Sequence, residues 1–575
     1  MSDYRVYTTL KKLHLELSDR VYPVINDSDY SVAIAFTGHN ASVTVAKGKN
    51  VLEVLELERF INLKNADYSI KVWREPHSSE YSEWNEKVVR SQLKEVQKYL
   101  SRKYTQEFAV GIFVDRLMLP GVEIKLDEYF NAKKWYRESH HLSHGAGAFY
   151  QSPYDKALVF TIDGGSIDGN TTAGIYERGK PIQWLPIGDT SLGRTYYKFG
   201  RLLKDIKYTV HGQSVTYPGK LMGYAGLGVP DNELVEVLVP LFLVDFMKKI
   251  EYSGIFKQAS KKIKIISELE NPFTEKRIEG EEAYTLAASV QLAFEEAAIK
   301  LMLPYIKMYP ELPICISGGC ALNISFNTRL VKEIDREVFV PPDPTDCGLS
   351  FGAMLNYIKP DKVINDPYLG PELLDRDSLA TYLYEENGVG GNYNVSEASP
   401  KDVASLIAKG KILGICQGRS ERGPRALGNR SIICSVKHPD MKDIINAKVK
   451  HREWYRPFSP IVRLEDVSLY FDWDRESRFM TFSPQVREQY KDKIKPVVHY
   501  DGTARVQTIT REQNQFIYDV LTELDKATGI GMILNTSFNV DGKPIVSTIK
   551  DAFKVLKTTE LDGIFIDGTL IMKKS

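Results

Sequence analysis

A chain of 575 residues is too long for one hydrophobic core and predicts at least two domains. Hydrophobic content of 43% and charged content of 26% are those of an ordinary globular protein, and 75 basic residues balance 75 acidic ones. That balance excludes a global electrostatic pull toward nucleic acid or membrane and leaves room only for a local basic patch. The longest apolar run, "VLVPLFLV" at Val237–Val244, falls far short of the ~20 residues of a membrane helix, so no membrane association is expected. The N-terminus "MSDYRVYTTLKKLHLELSDR" mixes charges throughout and has no apolar signal core. Cys315, Cys320, Cys347, Cys416 and Cys434 are odd in number and not in metal-type pairs, which reads as reduced thiols in a cytoplasmic protein.

In chain order, "YSVAIAFTGHNASVTVAKGKNVLEVLELERF" (Tyr30–Phe60) predicts an apolar strand, a loop carrying His39, a second strand, a "KGKN" turn and a third strand. "NEKVVRSQLKEVQKYL" places Val89, Leu93, Val96 and Leu100 on one helical face. "SHHLSHGAGAFY" (Ser139–Tyr150) holds three of the ten histidines. His140 and His144, four apart, share a face if the segment is helical, and two imidazoles so placed can hold one transition metal. No Glu follows the first histidine, so this is not an HExxH metalloprotease. Asp163, 19 residues after His144, is the candidate third ligand. The plainer alternative is a His-rich helix with Asp163 as a loop cap, and His141 points elsewhere and reads as structural.

"KALVFTIDGGSIDGNTTAGIYERGKPIQWLP" (Lys156–Pro186) repeats the meander of Tyr30–Phe60, with Asp163 just past its first strand. "LAASVQLAFEEAAIKLML" predicts a helix with Leu286, Val290, Ala293, Ala297 and Leu301 on one face. "LPICISGGCALN" reads as a buried strand entering a loop at Gly318 and Gly319, and "REVFVPPDPTDCGLSFGAMLNYI" as strand, loop with Asp346, and helix. A duplicated meander followed by such units predicts an α/β fold of the actin type, with polar loop residues converging on a cleft between two halves.

Residues Pro360–Ser399 turn loop-rich and mark a domain boundary. Beyond them "CQGRSERGPRALGNRSI" resembles a Walker A loop only at its glycines, because Pro424 and Arg425 replace the Lys and Ser/Thr. From Arg419 to Arg456 ten basic residues stand against four acidic ones. Arg beside Gly and Pro suits phosphate oxygens better than a solvated Lys/Glu face would. A nucleic-acid surface is the rival from a different class, to be recognised by steep salt dependence without turnover.

Nine stretches then occur in one order: "FTGHNASVTV", "ELERFINLK", "HHLSHGAGAF", "GKLMGYAG", "SGGCALN", "RGPRALGNRSI", "VKHREWYRPFSP", "DGTARVQ" and "LNTSFNVDGKPIV". With them the chain resembles the ATP-dependent O-carbamoyltransferases of the nebramycin, cephem and nodulation type, from about Tyr30 to its end. The resemblance implies a duplicated actin-like (ASKHA) carbamoyl-transfer domain over residues 30–360 and a YrdC-like α/β domain over 373–550. It also implies that residues 551–575 pack back on the first domain, and it leaves 1–29 as an N-terminal extension. The implied chemistry is formation of carbamoyl-adenylate from carbamoyl phosphate and ATP with Mg2+, then transfer to an acceptor hydroxyl.

By motif, His140, His144, Asp163 and Asp346 match metal ligands, with Fe2+ or another divalent transition metal as the implied ion. His39 and Lys64 match catalytic positions; with Asp163, Gly318, Gly319 and Asn323 they would surround the carbamoyl-adenylate. Arg425, Lys450, Arg456, Arg505 and Asn535 match the carbamoyl phosphate and ATP site. The chain departs from the family pattern at Asn40, where "GHD" is usual, at Ser317 and Cys320, and in the loop "DGGSIDGNTT". The acceptor is a small natural product or a hydroxymethylated nucleobase, free or in DNA, and a homodimer is open. A tRNA threonylcarbamoyl-type transferase or an actin-fold kinase is the alternative of the same fold.

Overall fold

The computed structural model describes residues 22–37, 40–60, 62, 64, 80–115, 125–166, 169–206, 217–244, 278–387 and 391–574. They fall into two units, one within Met1–Phe60 and Asn65–Asn365, the other made of Ile61–Lys64 with Asp366–Ser575. Residues 1–21 of the expected N-terminal extension and the candidate catalyst His39 lie outside the described residues.

In the first unit β1 (Tyr30–Phe36), β2 (Ala41–Lys47) and β3 (Asn50–Glu56) form an antiparallel meander. Val32, Ile34 and Phe36 on one face of β1 and Ala33 and Ala35 on the other are all buried, which suits an interior strand covered on both sides. Helix α1 (Glu80–Lys103) buries the predicted stripe Val89, Leu93, Val96 and Leu100. Strands β4 (Val110–Asp115) and β5 (Trp135–Glu138) then add in parallel on the other side of β1, giving the order β3-β2-β1-β4-β5.

After α2 (His140–Gln151) the pattern repeats. Strands β6 (Lys156–Ser166), β7 (Gly169–Glu177) and β8 (Gln183–Leu185) form the second meander. The long helix α3 (Gly280–Met308) leads to β9 (Ile314–Ser317) and β10 (Val338–Phe339), both parallel to β6, in the order β8-β7-β6-β9-β10. Two five-stranded sheets with one strand order, each three antiparallel and two parallel, are the duplicated actin-type architecture.

Helix α4 (Leu349–Ile358) packs on β1, β2 and β4, while α2 packs on β6 and β9. The two helices cross where Gly352 faces Ser143 and Gly147; a Cβ on Gly352 would sit 1.9 Å from the Ser143 carbonyl oxygen. This close crossing brings the first turn of α2, the end of β6 and the turn before α4 to one place.

The second unit is built on a mixed sheet of eight strands. They are β11 (Tyr393–Glu397), β12 (Leu413–Cys416), β13 (Arg430–Ser435), β14 (Ser459–Arg463), β15 (Gln507–Ile509), β16 (Met532–Ser537), β17 (Gly563–Ile566) and β18 (Thr569–Lys573). Their order is β11-β18-β17-β12-β13-β16-β14-β15. Helices α5 (Pro400–Ala408) and α6 (Gln515–Thr528) bury Val403, Ile407, Val520 and Leu521 against Leu413, Ile433, Ile461, Ile533 and Phe565.

The C-terminal stretch belongs to the second unit. β17 pairs with β12 and β18 with β11, so residues 563–573 complete the second unit's own sheet. The cause is apolar: Ile564, Phe565, Ile566 and Ile571 are each at most 2% exposed, and that sheet is where they find cover.

Candidate functional sites

In the first unit the Ser139 side chain accepts the Leu142 N–H at 3.1 Å and caps α2, so the helix starts at His140. One helical turn then sets His140 Nε2 and His144 Nε2 3.2 Å apart. Asp163 comes from the end of β6 and Asp346 from the 3-10 turn Asp346–Gly348 that opens α4. His140 Nε2 lies 3.5 Å from both Asp163 Oδ2 and Asp346 Oδ1, and His144 Nε2 lies 3.5 Å from Asp346 Oδ1.

The ligand atoms of all four residues are within 4.8 Å of one another. Donors held ~2.1 Å from one ion in a tetrahedral set stand ~3.4 Å apart, so these separations suit a shared transition metal. Two imidazoles with two carboxylates is borderline-to-hard donor chemistry, fitting Fe, Mn or Zn better than Ca.

Electrostatics agree with that use. Burial lowers the His144 pKa despite the Asp346 hydrogen bond, which favours the neutral, ligating imidazole. Burial raises the Asp163 pKa, but the hydrogen bond and charge of His140, with His144 and His141, hold the carboxyl well below the usual range. Gly319 N–H donates to Asp163 Oδ1 at 2.9 Å and Gly165 N–H to Oδ2 at 3.3 Å. Gly318 makes this approach available: its φ is +90°, and a Cβ would stand 2.3 Å from the Ile162 carbonyl oxygen.

His141 is structural, as read from the sequence. Its Nε2 bonds the Gly169 carbonyl at 2.9 Å and its Nδ1 the Thr161 hydroxyl at 2.7 Å, tying α2 to the hairpin that carries Asp163. Asn323 caps the helix Ile324–Ile334 through Phe326 N–H and accepts from Gln291, so its carbonyl oxygen is committed there.

The second unit holds a cluster of cations. The run Ile445–Lys450 winds as a π-helix, a form frequent at functional sites. After it come Arg452 and Arg456, and Arg425 and Arg505 join them. Burial lowers the Arg505 pKa, and Arg425, Arg452 and Arg456 lower it further. Burial and Arg456 push Arg425 down to about 10; burial and the same neighbour act on Arg452. Glu453 pairs with Arg456 at 3.3 Å. A guanidinium does not shed its proton, so such a cluster gains from an anion placed among its members. Arg505 is aimed by its Nε–H bond to Ser459 Oγ at 2.8 Å.

Asn535 stands opposite Ser459 in the β14/β16 pairing. Its Nδ2 donates to the Ala426 carbonyl at 2.9 Å and to Gln507 Oε1 at 3.3 Å. Its Oδ1 is buried and meets no hydrogen-bond donor among the described residues; Arg425 Nε likewise meets no acceptor. The loop between Glu421 and Arg430 is shaped by one buried carboxylate: Glu421 Oε1 accepts from Leu427, Asn429 and Arg430 N–H at 2.7, 2.7 and 3.1 Å.

Lys450 is placed differently from the other candidates. Its ammonium donates to the Ser537 and Asn539 carbonyls at 2.7 and 2.8 Å and also to the Asn539 side chain, so it braces the loop after β16. Burial, then Arg452 and Lys64, hold its pKa well below the usual lysine range. Lys64 thus stands in the second unit, beside Asn62, whose Nδ2 donates to Asp551 Oδ1 at 2.7 Å.

The basic run is not one surface. Arg430 is buried on the Gln417, Gly418 and Asn429 carbonyls, Arg419 donates to the Leu369 and Gly370 carbonyls, and Arg422 to the Asp366 carbonyl. Arg452, Ser459 and Glu421 were missing from the sequence-derived site; only their place in the fold distinguishes them from neighbouring polar residues. All five cysteines are free thiols. Among the described residues no helix is long and apolar enough to cross a membrane.

Comparison with known proteins agrees with this layout. Residues 404–573 match the family described as Carbamoyltransferase C-terminus. The chain is 35% identical over 458 residues to Nodulation protein NolNO of Sinorhizobium fredii, covering 76% of this chain and 64% of that protein. The chain thus spans less than two thirds of that relative's length. It is 34% identical over 454 residues to Nodulation protein NolO of Bradyrhizobium diazoefficiens, covering 76% and 79%. An uncharacterized protein of Methanocaldococcus jannaschii is 28% identical over 553 residues, covering 93% and 98%. Residues 32–355 match Carbamoyltransferase N-terminus, so both halves of the pattern are present in order and the chain belongs to the carbamoyltransferase family, a family of transferases.

Proposed function

We propose that the protein makes carbamoyl-adenylate from carbamoyl phosphate and ATP at the Arg425–Arg452–Arg456–Arg505 cluster. It then passes the carbamoyl group to an acceptor hydroxyl at the His140–His144–Asp163–Asp346 centre. The observation that carries this reading is the buried Asn535 Oδ1 beside the guanidinium cluster, opposite the Ser459 that holds Arg505 and bonded through its Nδ2 to Ala426, the neighbour of Arg425. Guanidinium groups take phosphate oxygens, and an amide oxygen without a donor takes the N–H of a carbamoyl group. Few metabolites present both.

The balance needs one water: carbamoyl phosphate yields carbamate and phosphate, and a carbamate oxygen then attacks the α-phosphorus of ATP with loss of pyrophosphate. A carbamoyl carbon is a poor electrophile because its nitrogen donates into it; AMP supplies the leaving group that makes transfer feasible. Arg505 and Arg456 hold phosphate oxygens and stabilise the charge that builds on the departing pyrophosphate. Mg2+ accompanies the ATP. At the first-unit centre, His140, His144, Asp163 and Asp346 would hold the transition metal, iron by the resemblance, which supplies Lewis acidity when bound. His39, by the same resemblance, takes the proton of the acceptor hydroxyl. Confining the adenylate limits its hydrolysis.

The acceptor is a small-molecule alcohol or a hydroxymethylated nucleobase. The test is radiolabelled carbamoyl phosphate with ATP against a panel of hydroxyl acceptors, including hydroxymethylcytosine DNA. ATP-dependent transfer of label to at least one acceptor is expected. Pyrophosphate release that does not depend on carbamoyl phosphate would reject the adenylate route.

A further inference from the structure

One rim of the cationic cluster is aromatic. Asn446, buried in the π-helical turn, fixes the loop that follows it. Its Oδ1 accepts from Arg452 Nε at 2.7 Å, and its Nδ2 donates to the Trp454 and Arg456 carbonyls at 3.3 and 3.1 Å. The loop therefore gives Arg452 and Arg456 to the cluster and leaves Trp454 49% exposed. Tyr500, also 49% exposed, meets it edge to face, with ring centroids 5.8 Å apart and planes at 80°. Lys442 Nζ lies 4.0 Å from the Tyr500 ring centre. His499, the residue before Tyr500, accepts the Arg505 backbone N–H at 3.4 Å. The two rings are thus tied to the cluster from both sides, through Arg452 and Arg456 and through Arg505.

Among the described residues the exposed large aromatic rings are Tyr384, Trp454 and Tyr500, and the last two pack together. Exposed rings on hydrogen-bonded loops, beside guanidinium groups, suit a ligand with phosphates at one end and a flat π-system at the other. We propose that the Trp454–Tyr500 rim binds the purine base of the nucleotide whose phosphates the guanidinium cluster holds. The inference rests on the cluster being the adenylate-forming site, and it adds the residues that would prefer ATP to a base-free polyphosphate.

The test is calorimetric titration of the full chain with ATP and, separately, with tripolyphosphate. In Trp454→Ala, ATP affinity should fall about tenfold, within the range of one base–aromatic stack, while tripolyphosphate affinity is unchanged. Trp454→Phe should bind ATP within about threefold of the unaltered chain, and Trp454→Leu, of similar bulk without a π face, should behave like the alanine variant. That Phe/Leu pair decides the matter if Trp454→Ala fails to fold. Arg505→Ala should weaken both ligands. Unchanged ATP affinity in Trp454→Ala and Trp454→Leu, or equal loss for both ligands, would overturn the base site. An unaltered chain that binds tripolyphosphate as tightly as ATP would also overturn it while leaving the anion site standing. A chain that binds neither would remove the reading of the cluster itself.

Discussion

Replacing Arg505 by Met separates the two effects that a buried cationic cluster combines. In the empty protein Arg505 faces Arg425, Arg452 and Arg456, all of which depress its proton affinity, so removing its charge relieves repulsion. The loss on the other side is the Nε–H bond to Ser459 Oγ, about 1 kcal/mol. The methionine keeps most of the apolar stem in place. Stability of the empty variant should therefore stay within ~1 kcal/mol of the unaltered chain. Anion binding moves much further. Losing one charge-assisted hydrogen bond costs about 1.5–3 kcal/mol, a factor of roughly 10–150 in affinity. At a carbamoyl phosphate concentration ~100 times the original Kd, ligand stabilisation is about 2.7 kcal/mol; a tenfold weaker Kd leaves about 1.4. For a unit of this size that difference is roughly 3–5 °C in Tm. Differential scanning calorimetry with and without carbamoyl phosphate reads both numbers. A variant that melts far lower when empty, yet gains as much from carbamoyl phosphate as the unaltered chain, would show that Arg505 is structural and that the anion sits elsewhere.

Three further outcomes follow from individual contacts. His144→Ala removes one of four ligand atoms; elemental analysis should show metal content falling from about one per chain, while pyrophosphate release from ATP and carbamoyl phosphate persists. Gly318→Ala forces a Cβ onto the Ile162 carbonyl and displaces the turn whose next N–H holds Asp163, so metal affinity measured by chelator competition should fall about 10–100-fold. Glu421→Ala leaves three backbone N–H groups without their carboxylate, a loss of about 3 kcal/mol or more, and the calorimetric Tm should drop by roughly 6–12 °C.

Local periodicity made part of this legible. The His140/His144 pair was readable because helical spacing is a property of neighbours in sequence, and the duplicated meander because alternation and turn residues recur at Tyr30–Phe60 and Lys156–Pro186. That Asp163 and Asp346 meet those histidines is a tertiary fact: Asp163 was a candidate by its place after a strand, and Asp346 was reached as a ligand only through resemblance. The basic run shows where composition stops: Arg419, Arg422 and Arg430 look no different from Arg425 and Arg456, yet the first three serve backbone carbonyls. Lys450 is spoken for in the same way, by acceptors far along the chain. The sheet that takes the last strands was not legible, because an apolar strand does not name the sheet that will cover it; β11 and β12 supply the partners in the second unit.

The two candidate sites have opposite electrostatic needs, and this constrains the proposed chemistry. The second-unit cluster gathers guanidinium groups and attracts phosphate directly. The first-unit centre gathers Asp163 and Asp346 beside an imidazole that burial keeps toward its neutral form. Those carboxylates alone would repel the phosphate of an adenylate. A divalent cation held among them would cancel that charge and, as a Lewis acid, would let the same residues accept a negatively charged carbamoyl donor. On the proposed reading, chelation should therefore abolish binding of a non-hydrolysable carbamoyl-adenylate analogue at the first-unit centre while leaving binding at the arginine cluster intact. His144→Ala should reproduce the effect of the chelator, and Arg505→Met should reproduce its converse.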